Sequence, residues 1–198
     1  MGHDRSGAKQ PDRFDPARAS ILDDTGRFAY VPPAALLEAL APPPSSTLLD
    51  FGAGTGLYAV EFARLRPDLR ILALDEQPAM LEHLRSALAQ AGVLNLAAIE
   101  PPALAALGGS VERILALNVL HELGDDALGA LRGLLAPGGA ALFVDWNAEV
   151  ERPFGPPKDH VYGPSEAERR LAGAGFAVVG RSAFAYHYAL RAVSAPFR

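Results

Sequence analysis

Leu48-Leu49-Asp50-Phe51-Gly52-Ala53-Gly54-Thr55-Gly56 is the stretch on which the reading of this chain turns. An apolar run of strand character ends on a carboxylate, and three glycines follow at alternate positions before the helical pattern of residues 57–65. Glycines spaced in this way let the backbone turn sharply and approach a ligand without a Cβ in its path, at a helix N-terminus whose free N–H groups face that ligand. A dinucleotide fingerprint, G-x-G-x-x-G, needs its third glycine where Leu57 stands. With an acid two places before the first glycine, D-x-G-x-G-x-G instead suits a ligand that presents a cation near the turn.

Outward from this stretch, short apolar runs alternate with amphipathic segments. TLLDF (47–51), RILALD (70–75), LAAI (96–99), RILALNVL (113–120) and AALFVDW (140–146) read as strands. Helical patterns lie between them at 57–65, 78–91, 104–107 and 125–135. Near-continuous apolar strands separated by helices are expected of a parallel sheet covered on both faces. A helix over 165–174, closed by Gly175, precedes FAVVGRSA (176–183) and YHYALRAV (186–193), close enough to pair as a hairpin. The fold class is therefore α/β, a Rossmann-like doubly wound sheet of seven strands with a final antiparallel strand. Short helices precede it: one to about Leu22, with Asp15 as N-cap and Pro16 at its first position, and one over 34–40 after Pro32-Pro33. Pro42-Pro43-Pro44-Ser45-Ser46 is an extended linker. The expected organisation is a disordered leader at 1–13, a helical cap at 14–46 and the sheet domain at 47–198.

With 198 residues the chain has room for one sizeable core. It contains no Cys, which excludes disulfides, thiolate nucleophiles and iron–sulfur ligation. The net charge of −5 is concentrated in residues 48–150, which hold thirteen acidic and six basic side chains. Nucleic-acid binders need a clustered positive face, so nucleic acid is not the expected partner. No apolar run is long enough to span a bilayer, and the polar start MGHDRSGAKQ points to a cytoplasmic location. With no HxH or HExxH spacing, no metal is expected.

Asp75 closes the second strand about twenty residues after the glycines, where a carboxylate can accept from both hydroxyls of a ribose. With it, the chain resembles the class I S-adenosylmethionine-dependent methyltransferases. The resemblance is carried by Asp50 to Gly56, by Asp75 with Gln77, Pro78 and Met80, and by Asn118-Val119-Leu120-His121-Glu122-Leu123. Leu134-Leu135-Ala136-Pro137-Gly138-Gly139 and Ala174-Gly175-Phe176 extend it, so that it covers residues 48–193 and is nearest to small bacterial enzymes of the ubiquinone and menaquinone type. It implies S-adenosylmethionine as cofactor and methyl transfer to a small-molecule acceptor. It also implies that Asp50, Gly52, Ala53, Gly54 and Gly56 hold the aminocarboxypropyl end and Asp75 the ribose, with Asn118 lining the site beside strand four. Two positions depart from the pattern. The residue after the ribose acid, usually apolar against the adenine, is Glu76, leaving Met80 or Leu81 for that contact; and the acid expected near the adenine amino group is represented by Glu100, before Pro101-Pro102.

Methyl transfer asks the protein for alignment and a dry site rather than for a catalytic triad. His121, at the end of the fourth strand, is the candidate catalytic residue, able to take a proton from the acceptor near neutral pH. A capping or packing role for the same residue competes with that reading. Asp145-Trp146-Asn147 should face the acceptor side, and the loop 153–164 is long enough to act as a lid. Tyr186-His187-Tyr188 reads as sheet-face packing. Two other functions stay open at this point: an NAD(P)-dependent oxidoreductase with an atypical glycine loop, and a catalytically inactive S-adenosylmethionine-binding domain.

Overall fold

The computed structural model describes residues 14–196, and the leader expected at 1–13 lies outside them. Seven strands form one sheet: β1 (Thr47–Phe51), β2 (Arg70–Leu74), β3 (Leu96–Ile99), β4 (Val111–Leu117), β5 (Leu135–Trp146), β6 (Phe176–Ala183) and β7 (His187–Ser194). Five α-helices accompany it: α1 (Pro33–Leu40), α2 (Leu57–Leu65), α3 (Pro78–Ala91), α4 (Asp125–Leu134) and α5 (Pro164–Gly173). The strand order is β3-β2-β1-β4-β5-β7-β6. β1 to β5 run parallel, and β7 enters antiparallel between β5 and β6, pairing Trp146 with His187 and Asp145 with Tyr188. The order reverses at β1 and β4, the switch point where open α/β sheets take ligands at the carboxyl ends of their strands.

Period-two alternation divides the strand side chains between two cores. Leu48, Ile71, Leu115 and Val144 pack with α1, α2 and α3, while Leu49, Leu72, Ile114 and Phe143 pack with α4 and α5. The helices answer with stripes at three- and four-residue spacing: Tyr58, Ala59, Phe62 and Ala63 on α2, and Leu128, Leu131 and Leu134 on α4. α1 is tied to the sheet by a buried cation. Arg113 of β4 donates from Nε to the Leu40 carbonyl at 2.7 Å and from Nη2 to that of Ala41 at 2.9 Å, satisfying carbonyls at the C-terminal end of α1. Ala41 adopts a left-handed conformation there, with φ 45°.

Several expectations need correction. The fourth strand stops at Leu117 instead of running to Leu120. Asn118 still donates its N–H to Val144 at 2.8 Å, but takes φ 59°, a left-handed conformation that Asn tolerates better than most residues. The chain then forms a 3₁₀ turn, Leu120–Glu122, so His121 sits on a turn beyond the strand. β5 reaches back to Leu135, which pairs with Val111, and the register shifts before Ala140 meets Arg113. The segment expected as a helix over 104–107 is a 3₁₀ helix, Pro101–Leu107, and the N-terminal helix at Pro16–Ile21 is also 3₁₀. A further 3₁₀ turn, Thr25–Ala29, capped by the Asp24 side chain through Gly26 N–H, was not anticipated.

Candidate functional site

The first strand–helix junction is braced before any ligand is considered. Gly52 and Ala53 both donate N–H groups to the Leu74 carbonyl at 2.8 Å, and Gly54 donates to Asp75 Oδ2 at 2.9 Å. Asp75 Oδ1 accepts from Gln77 N–H at 3.0 Å, so one carboxylate joins the junctions after β1 and β2. A carboxylate offers about four acceptor sites, and with the Glu76 backbone donor beside these two bonds Asp75 keeps capacity for one more. Gly52, with φ 74°, cannot carry a side chain, since a Cβ there would meet Val119 Cγ1 at 2.5 Å.

Asp50 lies beside this turn, 3% exposed. Burial, with the Asp75 charge adding to it and Arg27 opposing, pushes its pKa up to about 7. Burial likewise holds Asp75 above the usual carboxylate range, against the backbone donors that favour its charge. Two neutral oxygens nearby are buried without a hydrogen-bond partner, Thr55 Oγ1 and Asn118 Oδ1. Thr55 was not singled out from the sequence, although it lies within the glycine motif.

The N-terminal segment lies against this junction. Leu22 Cδ1 is 3.0 Å from where a Cβ on Gly54 would be, and Gln77 Nε2 donates to the Phe14 carbonyl at 3.1 Å. Tyr58 of α2 donates its hydroxyl to the Val31 carbonyl at 3.0 Å and carries the Arg27 guanidinium over its ring at 5.2 Å. Phe28 meets the same ring edge-on at 5.3 Å.

At the ends of β4 and β5 the structure brings together two residues that are 24 apart in sequence. Asp145 is fully buried; its Oδ2 accepts the His121 backbone N–H at 2.9 Å, and its Oδ1 accepts that of Trp146 at 2.7 Å. His121 Nδ1 lies 2.9 Å from both oxygens. Since these oxygens act as acceptors, Nδ1 carries the proton and Nε2 keeps its lone pair. Nε2 is 3.7 Å from Glu122 Oε1, too long for a hydrogen bond. Burial disfavours the imidazolium, but Asp145, by charge and hydrogen bond, and Glu122 outweigh it, so the His121 pKa stands above its ordinary value. Burial raises that of Glu122, with His121 opposing. A ring held in this way, with one nitrogen bonded to a buried carboxylate and the other carrying a lone pair, is chemically able to accept a proton.

The remaining predicted residues are spread more widely. Met80 is buried on the first turn of α3, Glu76 is exposed, and Glu100 is paired on the surface with Arg85 at 2.5 Å. Leu74 pairs with Ile99, so Glu100 follows β3 at the same end of the sheet at which Asp75 follows β2. Among the described residues no group of acidic or histidine side chains is arranged to hold a metal ion, and no helix is long and apolar enough to cross a membrane.

A methyltransferase-domain family model matches residues 49–141, which include both junctions and the His121 turn. No curated protein matches the chain significantly by sequence. Among solved structures, a SAM-dependent methyltransferase from Aquifex aeolicus is 26% identical, with a TM-score of 0.83 over 91% of this chain and 98% of that one. A type 11 methyltransferase from Sulfolobus solfataricus is 17% identical, with a TM-score of 0.70 over 85% and 95%. An O-methyltransferase family 2 protein from Planctomyces limnophilus, solved in complex with apigenin, is 20% identical, with a TM-score of 0.65 over 92% of this chain and 63% of its own.

Proposed function

The chain is a class I S-adenosylmethionine-dependent methyltransferase, and we propose that it methylates a hydroxyl group of a small-molecule acceptor with His121 as general base. The oxidoreductase reading is not favoured by the family match or the structural neighbours. The residues at the β1 and β2 junctions fit the cofactor. Asp50 is a buried carboxylate suited to the ammonium of the aminocarboxypropyl end, and Asp75 retains acceptor capacity for a ribose hydroxyl. Gly52 and Gly54 form the backbone cradle, and within it the Thr55 hydroxyl can donate or accept and Asn118 Oδ1 can accept. When bound, the cofactor supplies an electrophilic methyl group on a sulfonium, a leaving group that needs no acid assistance.

What remains for the protein is to orient the acceptor, exclude water and remove one proton. His121 does the last. Its Nε2 is the basic nitrogen, and Asp145 holds the ring and stabilises the imidazolium that forms when the hydroxyl proton arrives. The observation that carries the reading is this buried His121–Asp145 pair, which a domain that only bound the cofactor would not need. Exclusion of water falls to the N-terminal residues 14–31 and the loop 147–163, which meet through Tyr30 and Phe154 at 5.2 Å. Residues 14–46 thus act as a cap on the sheet domain.

The test is a screen of phenols, quinols, amines and thiols for S-adenosylhomocysteine release, followed by His121→Asn on the best acceptor. A hydroxyl acceptor is expected, with kcat reduced about 10²-fold or more in the variant and cofactor affinity unchanged. Full turnover by His121→Asn, or a preference for thiols, would refute the proposal.

A further inference from the structure

The turn that carries His121 is too short to hold its own position. Leu120–Glu122 is a single 3₁₀ turn without a side-chain N-cap, and it follows the left-handed Asn118. Its closing bond, from Leu123 N–H to the Leu120 carbonyl, is 3.3 Å long. Asp145 of β5 holds the turn through the His121 backbone N–H and ring. A second hold comes from α5.

Ala167 and Leu171 of α5 are buried in the same core as Leu120, and Arg170 flanks that face with its side chain only 20% exposed. Its Nη2 donates to the Leu123 carbonyl at 2.6 Å and its Nη1 to that of Leu120 at 3.3 Å. One planar fork thus spans the two residues that flank His121 and Glu122. Nη1 also donates to the Tyr162 hydroxyl at 2.9 Å, and the guanidinium lies over the Tyr162 ring at 4.8 Å. Its ion pair with Asp125, at 3.3 Å, involves a carboxylate whose side chain is 87% exposed, and a pair so placed contributes little. Arg170 therefore serves backbone carbonyls more than a charge partner.

Tyr162 also closes the loop 147–163, its carbonyl accepting the Ala148 N–H at 3.2 Å. Strand alternation turns Trp146 and His187 to the face of the sheet opposite Asp145. There they join Tyr30, Phe154 and Tyr186 in an aromatic enclosure, with His187 4.1 Å from Trp146 and Phe154 5.3 Å from Tyr186, centroid to centroid. The loop runs from this enclosure, through Phe154, to Tyr162, which packs on the other face beside Arg170. One segment thus joins the cover over one face to the hold on the turn at the other.

We propose that Arg170 is a positioning residue for His121: by fixing the Leu120 and Leu123 carbonyls it keeps the imidazole Nδ1 against Asp145, and Tyr162 links that hold to the loop 147–163. The proposal rests on the reading of His121 as general base. Arg170 acts through the turn and not by its charge. The charged groups that bear on the imidazole are Asp145 from β5, Glu122 from its own turn and Arg152 from the loop, with Arg170 of α5 turned to the carbonyls.

The experiment follows the His121 imidazole by NMR in the full-length chain saturated with S-adenosylhomocysteine, its signals picked out from the five histidines by their loss in His121→Asn. The wild-type chain should show a strongly deshielded Nδ1 proton, bonded to Asp145, and titrate above 6.5. The two ways in which Arg170 could act differ in sign: removing a nearby positive charge raises an imidazole pKa, whereas loosening the contact with Asp145 lowers it. Arg170→Met should lose the deshielded proton and lower the His121 pKa by at least about one pH unit, with S-adenosylhomocysteine affinity within about twofold of wild type. Arg170→Lys, which keeps the charge but cannot span both carbonyls, should behave in the same way. Tyr162→Phe, which keeps the ring and loses the hydroxyl, should give a smaller change in the same direction. An unmoved or raised His121 pKa in Arg170→Met or Arg170→Lys would overturn the proposal. Should Arg170→Met fail to fold, Arg170→Lys and Tyr162→Phe make the same comparison. The imidazole is read without an acceptor, so an unmoved titration counts against Arg170 alone, and full turnover by His121→Asn counts against the base.

Discussion

Asp145→Asn isolates what the buried carboxylate does for His121. In the wild-type chain the two oxygens of Asp145 accept two backbone N–H groups, those of His121 and Trp146, as well as the imidazole Nδ1 proton. An asparagine has one acceptor oxygen, so its amide nitrogen must face one of these donors. One buried N–H left without an acceptor costs about 1–3 kcal/mol. In a domain of this size each kcal/mol moves Tm by about 2–4 °C, so a fall of about 2–12 °C is expected. The imidazole changes in the opposite sense from the wild type. With the charge gone, burial dominates, and the His121 pKa should drop from above 6.5 to below it. The linkage follows: in the wild type the imidazolium is favoured by folding, so that stabilisation is complete below the unfolded pKa and is lost as pH rises through the raised folded value. In the variant this contribution changes sign. Histidine resonances followed by NMR across pH 4 to 9 measure the pKa directly, and turnover should fall about 10²-fold or more with its acid limb displaced to lower pH. An unchanged His121 titration in Asp145→Asn would refute the reasoning, whatever happened to the rate.

Three further outcomes are expected. Asp50→Asn should remove a pH dependence from the cofactor-free chain: the raised pKa of about 7 means stability present below 3.8 is lost as pH climbs to about 7, a contribution with a ceiling on the order of 4 kcal/mol. The Tm of the variant minus that of the wild type should therefore grow with pH and level off near neutrality, and parallel curves would refute it. Asp75→Ala removes the Gly54 and Gln77 braces together with the proposed ribose acceptor, and calorimetry should show S-adenosylhomocysteine affinity lowered at least about tenfold. Deleting residues 1–31 should leave cooperative unfolding but abolish turnover, whereas deletion through 41 should lower Tm further by stranding the buried Arg113 guanidinium; equal Tm values for the two truncations would contradict the role given to α1.

The parallel half of the sheet was legible because its strands are buried on both faces and its helices are not, so the hydrophobic period changes at each boundary. α2 at 57–65 and α3 at 78–91 follow the expected limits, and so do β1, β3 and β6. The end of β4 was misread because Val119 and Leu120 continue the apolar run, while the break depends on one left-handed residue, Asn118. The His121–Asp145 pair could not be found by local pattern. It forms because β4 and β5 are parallel neighbours in a register that sets Leu117 beside Val144, bringing the next residues of each chain together. His187 was read as sheet packing, which its burial supports, but the lack of partners for its nitrogens is visible only in three dimensions. Glu100 was named by analogy of position, and its pairing with Arg85 of α3 was not legible because it depends on how α3 lies beside β3.

The place of β7 has a consequence for how the chain is made. Because β7 inserts between β5 and β6, the edge of β5, with Ala141, Phe143 and Asp145, has no partner until residues 187–194 have left the ribosome. A nascent chain thus exposes an apolar, unpaired strand edge from the completion of β5 at Trp146 until β7 emerges, the kind of surface on which aggregation begins. The same late segment brings His187 against Trp146, so closure of the sheet and completion of the aromatic enclosure are a single event. Chains that stop before His187 would carry the β1 and β2 junctions and yet have neither a finished sheet nor an enclosure.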